Sequence, residues 1–474
     1  MLTIHCSPTY KPEREYICNV LLKDFLGVEY HIQYSDRNDW CLQGENGASC
    51  VLPDILFHTP EEKWLTPDSL PQQPLKLWNS RTDGIECNLV DEHLPVMYGN
   101  LDYARADDLH GFNASTISIP LDIFGSAFFM LSRYEELVKK NRDKHGRFPV
   151  WASLAFQEGF LERPIVNEYL EILWSVLQTI WPGLVRKARQ ARILVSCDVD
   201  TPYLCHSKSL KTALLVAVAD ILKRKSITKA LNTCRLYLRA RGGNYNYNSD
   251  PYFNALKWIM DINEKVGNQV AFYFIPEQLH SKFDGCYSLD EPVIRHLLHN
   301  IHARGHEIGL HASYTSYDNE QQLGHEREIL QQVLDEEGIR QQVAGGRQHY
   351  LRWKNPHTAR NWEAAGLLYD STLSYADYAG FRCGVCYEYQ MYDCTTRKPL
   401  RLQERPLVLM ESSVIDSVYM GLGYSDNALN YMEKIRQRCV QFQGDFTLLW
   451  HNSHLRNAED LVLYERLVCG RNYP

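Results

Sequence analysis

Two aspartates stand one residue apart where an apolar run ends: ILVSCDVDTPY, residues 193–203, carries Asp198 and Asp200 ahead of Thr201-Pro202. Side chains alternate along an extended chain, so both carboxylates point to one face, with Ser196 and Leu194 beneath them. They stand roughly 6–7 Å apart along the strand and repel unless something positive sits with them. A metal ion, an arginine or a histidine would serve. Candidates fall at the ends of other apolar runs. His311 ends EIGLH, on the face of Glu307 and Gly309, with His306 on the opposite face. His451 ends TLLWH, Glu411 ends PLVLME, and Arg347 and His349 open an extended RQHYL.

Carboxylate oxygen and neutral imidazole nitrogen are ligands that Zn²⁺ and similar divalent cations take, with a position left open for water. Such a cation lowers the pKa of its water toward about 7, and a second carboxylate could take the proton. A further histidine, with an ordinary pKa of about 6.5, suits protonation of a leaving group near neutrality. The aspartate pair then has unlike jobs, one as ligand and one as base.

The elements that must position these residues follow a rhythm. Strand-like runs at 193–199, 270–276, 307–311, 406–412 and 446–452 alternate with helical patterns at 291–303 and near 319–337, 357–366 and 426–439. Largely apolar strands between helices predict an α/β fold with a mostly parallel, buried sheet, as a barrel or an open sheet. Catalytic groups of such folds collect at the carboxyl ends of strands, where these polar residues lie. Residues 1–185 read as an N-terminal α+β domain and 190–474 as the second domain, joined by the basic VRKARQAR. The first part holds strand-like ICNVLL and DILFH, a helix over 120–137 (PLDIFGSAFFMLSRYEEL), and an amphipathic helix over 167–181 stopped by Pro182-Gly183.

A net charge of -8 argues against a general nucleic-acid binder, which carries a basic face. Fourteen cysteines are scattered without a dense framework, and Cys383-Gly-Val-Cys386 is a lone pair. The start, MLTIHCSPTYKPERE, lacks the pattern of a secretory signal, and no stretch approaches ~18 apolar residues. A reduced, cytoplasmic protein with free thiols is the expectation. His306 is expected to bond a neighbouring backbone group, and His296, His299 and His302 to lie on one exposed helix. One stretch departs from the average: residues 206–241 hold nine lysines and arginines, in SLKTALLVAVADILKRK and ITKALNTCRLYLRAR. The plain reading is the solvated face of two helices. The sharper one is contact with an anionic glycan, a lipid-linked sugar or a membrane face, with LLVAVADIL as an interfacial helix.

In this order and at these intervals, ILVSCDVDTPY, RGHEIGLHASYTS, RQHYLRW and FTLLWHN resemble the polysaccharide deacetylases of carbohydrate esterase family 4, over roughly residues 190–460. LDIFGSAFFMLSRYEE, KHGRFP, GFLERPIVNEY and DSTLSYADYAGFRCG look typical of a bacterial branch with an extra N-terminal domain of unknown function. The resemblance implies a distorted, incomplete (β/α) barrel that removes N- or O-acetyl groups with a divalent metal, usually zinc. It also implies roles by position. Asp198 matches the catalytic base, Asp200 the metal-binding aspartate, and His311 the first histidine of the H-[S/T]-x-x-H motif. His451 matches the general acid, and Arg347 resembles the arginine that orients the base. The chain departs from the pattern at Thr315, where the second metal histidine would stand, which predicts weaker zinc binding. His349 is the candidate substitute ligand, and Glu411 stands in for the carboxylate of the fourth motif. The expected function is metal-dependent deacetylation of an N-acetylated sugar in a surface polysaccharide or its precursor. The alternatives are an amide hydrolase acting on a small metabolite, and a degenerate barrel that binds or scaffolds glycan, which Thr315 favours.

Overall fold

The computed structural model describes residues 1–102, 116–204, 210–222, 225–242, 245–285 and 287–470. Lys208, Lys223 and Arg224 of the basic stretch lie outside the described residues, as do Cys205 and Cys286.

Nine strands form one sheet, in the order Tyr389–Asp393, Lys398–Glu404, Tyr369–Asp370, Gly345–Gln348, Glu307–Ala312, Val270–Phe274, Arg192–Val199, Asp445–Leu449 and Leu409–Met410. Every neighbouring pair is parallel except the first, a hairpin. Parallel strands need crossovers and cover on both faces, so their sequences run apolar without alternation. VAFYF at Val270–Phe274 and DFTLL at Asp445–Leu449 are buried at every position. The helices Pro251–Lys265, Pro292–Ala303, Glu320–Glu336, His357–Ala364 and Asp426–Gln441 lie between the strands in sequence. Their starts are written in the chain. Asp250 caps the first by accepting from the amides of Tyr252 and Phe253, Asn319 caps the third, and Ser425 the last.

The sheet curls. Arg347 and Asp198 sit on strands three positions apart, about 14 Å in a flat sheet, yet their side chains meet at 2.6 Å. The outer strands Tyr389–Asp393 and Leu409–Met410 do not pair with each other among the described residues, so the result is an incomplete barrel. Two glycines make room inside it. A Cβ at Gly309 would stand 2.7 Å from the Tyr273 ring, and one at Gly345 would stand 2.4 Å from the Tyr369 ring. The two tyrosine hydroxyls meet at 3.1 Å, and the Arg347 guanidinium lies 5.1 Å from the Tyr273 ring.

The residues before 185 build a second, five-stranded sheet, in the order Tyr30–Tyr34, Leu2–Cys6, Asp39–Gln43, Ser49–Pro53 and Thr116–Ser118. Three sequence expectations change here. ICNVLL is helical, the end of Lys11–Cys18 continuing into a wider turn over Asn19–Leu26, and DILFH yields only the short turn Leu56–His58. Short apolar runs do not separate strand from buried helix, and Pro12 in the first turn starts a helix. The helix expected over 120–137 is broken into Ile123–Leu131 and Tyr134–Val138, with Arg133 left-handed at φ 52°. The break frees the carbonyls of Ser132 and Arg133, and Asn355 Nδ2 donates to both at 3.0 and 3.1 Å. It also turns Arg133 inward, where its Nε meets Glu136 at 2.9 Å. Arg382, after the strand Tyr369–Asp370, grips the same carboxylate through Nε and Nη2 at 3.0 and 2.8 Å. This fully buried network ties the N-terminal residues to the barrel.

The described cysteines are free, with Cys383 and Cys386 both buried. His306 accepts from the Val270 amide at 3.2 Å, and His296 and His299 are exposed on their helix while His302 is half-buried. Among the described residues, no helix is long and apolar enough to cross a membrane.

Candidate active site

The carboxyl ends of six neighbouring strands, from Gly345–Gln348 to Leu409–Met410, open into a cleft of about 440 Å³ whose lining includes Asp198, Asp200, His311, His349 and His451. Asp198 is the penultimate residue of Arg192–Val199, and Asp200 follows the strand's last residue. Asp198 lies at the bottom, 2% exposed. Its Oδ1 accepts from Arg347 Nη1 at 2.6 Å. The same guanidinium donates to Ser196 Oγ at 2.9 Å, to Ser371 Oγ at 3.1 Å and, through Nε, to the Ser371 carbonyl at 2.7 Å. Ser196 therefore lies under Asp198 on the same face, and a planar, multiply bonded cation fixes the carboxylate.

His311, in register with Arg347 on the neighbouring strand, donates from Nδ1 to the Arg347 carbonyl at 2.9 Å. That bond selects the tautomer and leaves Nε2 turned into the cleft, as metal-ligating histidines require. Nε2 lies 3.1 Å from Asp200 Oδ1 and 3.6 Å from Asp198 Oδ2. The His349 ring stacks on His311 with centroids 4.7 Å apart, and its Nε2 stands 3.9 Å from Asp200 Oδ1. One ligand atom each from Asp200, His311 and His349 lies within 4.8 Å of the others. Asp200 Oδ1 is buried with no donor aligned to it, which costs free energy unless a cation occupies the gap. The donor set of one carboxylate and two imidazoles fits Zn²⁺ or a similar divalent ion.

Charge is shared tightly here. Burial alone would raise the Asp200 carboxyl, but His349, His311 and His451 hold it well below the usual carboxylate range. Burial works to lower the His311 pKa, and the carboxylates of Asp198 and Asp200 more than offset it. His451 Nδ1 bonds Glu411 Oε1 at 2.6 Å, leaving Nε2 in the cleft, 3.7 Å from Asp200 Oδ2. Against burial, the Glu411 carboxylate pushes His451 up to about 10.

Several positions differ from the sequence expectations. Glu411 does not end a long strand. Only Leu409–Met410 is extended, and Glu411 opens the short helix Glu411–Ile415, fully buried behind His451. The RQHYL segment stays extended only to Gln348; His349 starts a tight turn in which Tyr350 and Leu351 are left-handed, at φ 62° and 52°. Such strain persists only where surrounding contacts impose it, and here it swings His349 over Asp200. Thr315 is exposed on the loop after Glu307–Ala312 and does not line the cleft. Asn452 is buried and structural: its Nδ2 donates to the carbonyls of Thr201 and Tyr252 at 2.9 and 3.2 Å, fixing the loop that carries Asp200.

Two contributors escaped the sequence reading. Asp284 accepts from the amides of Leu279, His280 and Tyr314 and stands 3.6 Å from His349 Nδ1, backing that ring. An Asp-Gly pair in a loop gave no sign of it. Arg147 reaches the cleft rim from the N-terminal residues, donating to the Tyr350 carbonyl at 2.9 Å and to Asp143 at 2.7 Å. Its neighbourhood is aromatic: Phe283 lies 4.4 Å from Tyr314 and 5.2 Å from Tyr350, centroid to centroid.

Residues 2–182 match the model of a family described as a family of unknown function (DUF7033). No curated protein matches the chain. Among solved structures, a Mycobacterium smegmatis protein described as a polysaccharide deacetylase is similar at 15% identity and TM-score 0.38, over 60% of this chain and 84% of its own. A Pseudomonas aeruginosa PAO1 protein, also described as a polysaccharide deacetylase, is similar at 14% identity and TM-score 0.37, over 67% and 90%. Puue allantoinase is similar at 14% identity and TM-score 0.36, over 61% and 85%.

Proposed function

We propose that the chain is a metal-dependent hydrolase that removes acetyl groups from an N-acetylated sugar of a surface polysaccharide or its precursor. The observation that carries the reading is the meeting of Asp198, Asp200, His311, His349 and His451 in one cleft. The order of the four sequence motifs supports it. Asp200, His311 and His349 would hold a divalent cation, which supplies Lewis acidity toward an acyl oxygen and toward water. His349 takes the place of the histidine that Thr315 lacks. Asp198, oriented by Arg347, accepts a proton from the attacking water. His451 carries a proton on the Nε2 that faces the cleft, with Glu411 behind its other nitrogen. It delivers that proton to the amine as the C–N bond breaks, leaving acetate and a free amino sugar. Phe283 and Tyr350, which line the cleft, offer faces on which a pyranose ring stacks.

Acetate release from N-acetylated oligosaccharides by the zinc-loaded protein tests this directly. Asp198→Asn should lower the rate by about 100-fold or more. Acetate release by Asp198→Asn equal to that of the parent removes the proposed base.

A further inference from the structure

The chain leaves the barrel immediately after Asp200 and returns at Asp250, whose Oδ2 accepts from the Leu204 amide at 2.8 Å. Between these points the helices Leu210–Leu222 and Ile227–Arg241 pack on each other as a hairpin beside the cleft. Its inner face is accounted for. Ala213 clusters with Leu236, Tyr237 and Ala240. Asp220 accepts from Thr233 at 2.7 Å and pairs with Arg456 at 3.0 Å, and Lys229 donates to the Arg456 carbonyl at 2.8 Å.

Its outer face is apolar and bare. Leu214, Leu215, Val218, Ile221 and Leu222 recur at the spacing of one helix face, opposite the buried Ala213, Ala217 and Asp220. Ile227, Leu231 and Leu238 make a matching stripe on the second helix. Leu215 is 62% exposed, Leu222 72%, Ile227 68% and Leu231 67%. Single exposed aliphatics are ordinary, but such a concentration on one hairpin marks a contact surface.

Charge identifies the partner. Residues 206–241 hold nine lysines and arginines against one acid, Asp220, in a chain of net charge -8. That acid is turned inward to Arg456, as is Lys229, which leaves Lys211, Lys225, Arg235, Arg239 and Arg241 as the other cations among the described residues. A second copy of this face would set cation against cation. An anionic lipid surface meets both features, because aliphatic side chains enter the headgroup boundary while lysine and arginine meet the headgroups. Helices of 13 and 15 residues lie in that boundary rather than cross it.

We propose that the hairpin Leu210–Arg241 seats the protein on an anionic membrane surface and holds the cleft, whose rim includes Thr201, beside it. The inference does not depend on the chemistry of the cleft. Flotation of the full chain with vesicles tests it. The protein should float with vesicles of phosphatidylcholine and phosphatidylglycerol, less so at high salt, and stay behind with phosphatidylcholine alone. The pairs Leu215→Glu/Leu231→Glu and Lys225→Glu/Arg235→Glu should each cut the bound fraction by about tenfold. Thermal melting of both variants should match the parent, since every changed side chain is exposed. Failure to float with the anionic vesicles overturns the proposal. So does flotation that neither variant reduces. A soluble dimer that the leucine pair abolishes, in a protein that ignores vesicles, would assign the face to a second copy instead. Each of these failures leaves metal binding and acetate release unaffected, so the two readings stand or fall separately.

Discussion

His311 spends its Nδ1 on the Arg347 carbonyl at 2.9 Å and thereby aims Nε2 at Asp200 Oδ1, 3.1 Å away. Strand register sets this arrangement, because His311 and Arg347 are direct partners across the sheet. With His349 closing the third side, one ligand-type atom from each of Asp200, His311 and His349 stands in one group, while Thr315 is exposed. His349→Ala should therefore weaken zinc binding by more than the roughly 10- to 100-fold typical of losing a supporting contact. Thr315→Ala should leave it unchanged. Competition with a chromophoric chelator reads both, and equal losses in the two variants would reverse the assignment.

Arg347 and Asp198 are both almost wholly buried and paired at 2.6 Å. Removing one partner strands the other charge, so Arg347→Met should cost about 3–5 kcal/mol in denaturant unfolding. Adding Asp198→Asn to that variant should restore part of the loss. A double variant no more stable than Arg347→Met would mean that the pair is not coupled.

Glu411 bonds His451 at 2.6 Å and stands 3.9 Å from His454, both of which line the cleft. It is a positioning residue, and Glu411→Gln should lower kcat by about 100-fold while KM stays near the parent value. The basic limb of the pH profile should also move, because the carboxylate that favours the charged imidazole is gone. A fall in stability with kcat and its pH profile unchanged would leave Glu411 a packing role only.

Glu136 sits between Arg133 and Arg382 where the N-terminal residues meet the barrel. Burial alone would raise its pKa, and the two guanidiniums more than offset this, holding it at about 2 against an ordinary 4.5. The folded value is the lower one, so the network contributes stability that is fully present above pH 4.5 and fades as pH falls toward 2. Its size is about 3 kcal/mol. Glu136→Gln should be destabilised by about 3–5 kcal/mol at neutral pH. Unfolding curves of parent and variant should converge on acidification. A constant gap down to pH 3, roughly the middle of that window, would contradict the assignment.

Much of the site is legible because polar residues end apolar runs. That pattern locates Asp198, His311 and His451 at the mouth of a parallel sheet before any coordinate is known. What joins them is not local. Arg347 reaches Asp198 only because three intervening steps of sheet curl, and inside the curl Gly309 and Gly345 leave room for the Tyr273 and Tyr369 rings. His349 depends on a left-handed turn at Tyr350 and Leu351, which no glycine announces. The apolar PLVLME predicts a strand ending at Glu411, yet the strand is two residues long. Arg147 comes from sequence 45 residues before Arg192, the start of the barrel's first strand, and only tertiary packing of KHGRFP against Tyr350 puts it on the rim. ICNVLL shows the commonest ambiguity, an apolar run too short to declare its period.

The most direct test is anomalous diffraction from crystals soaked in zinc. A single strong peak bounded by Asp200, His311 and His349, with Asp198 and His451 on its open side, is the expected result. No peak in the cleft at saturating zinc, with His311 still turned onto Asp200, would contradict the metal centre from which the hydrolase reading is built.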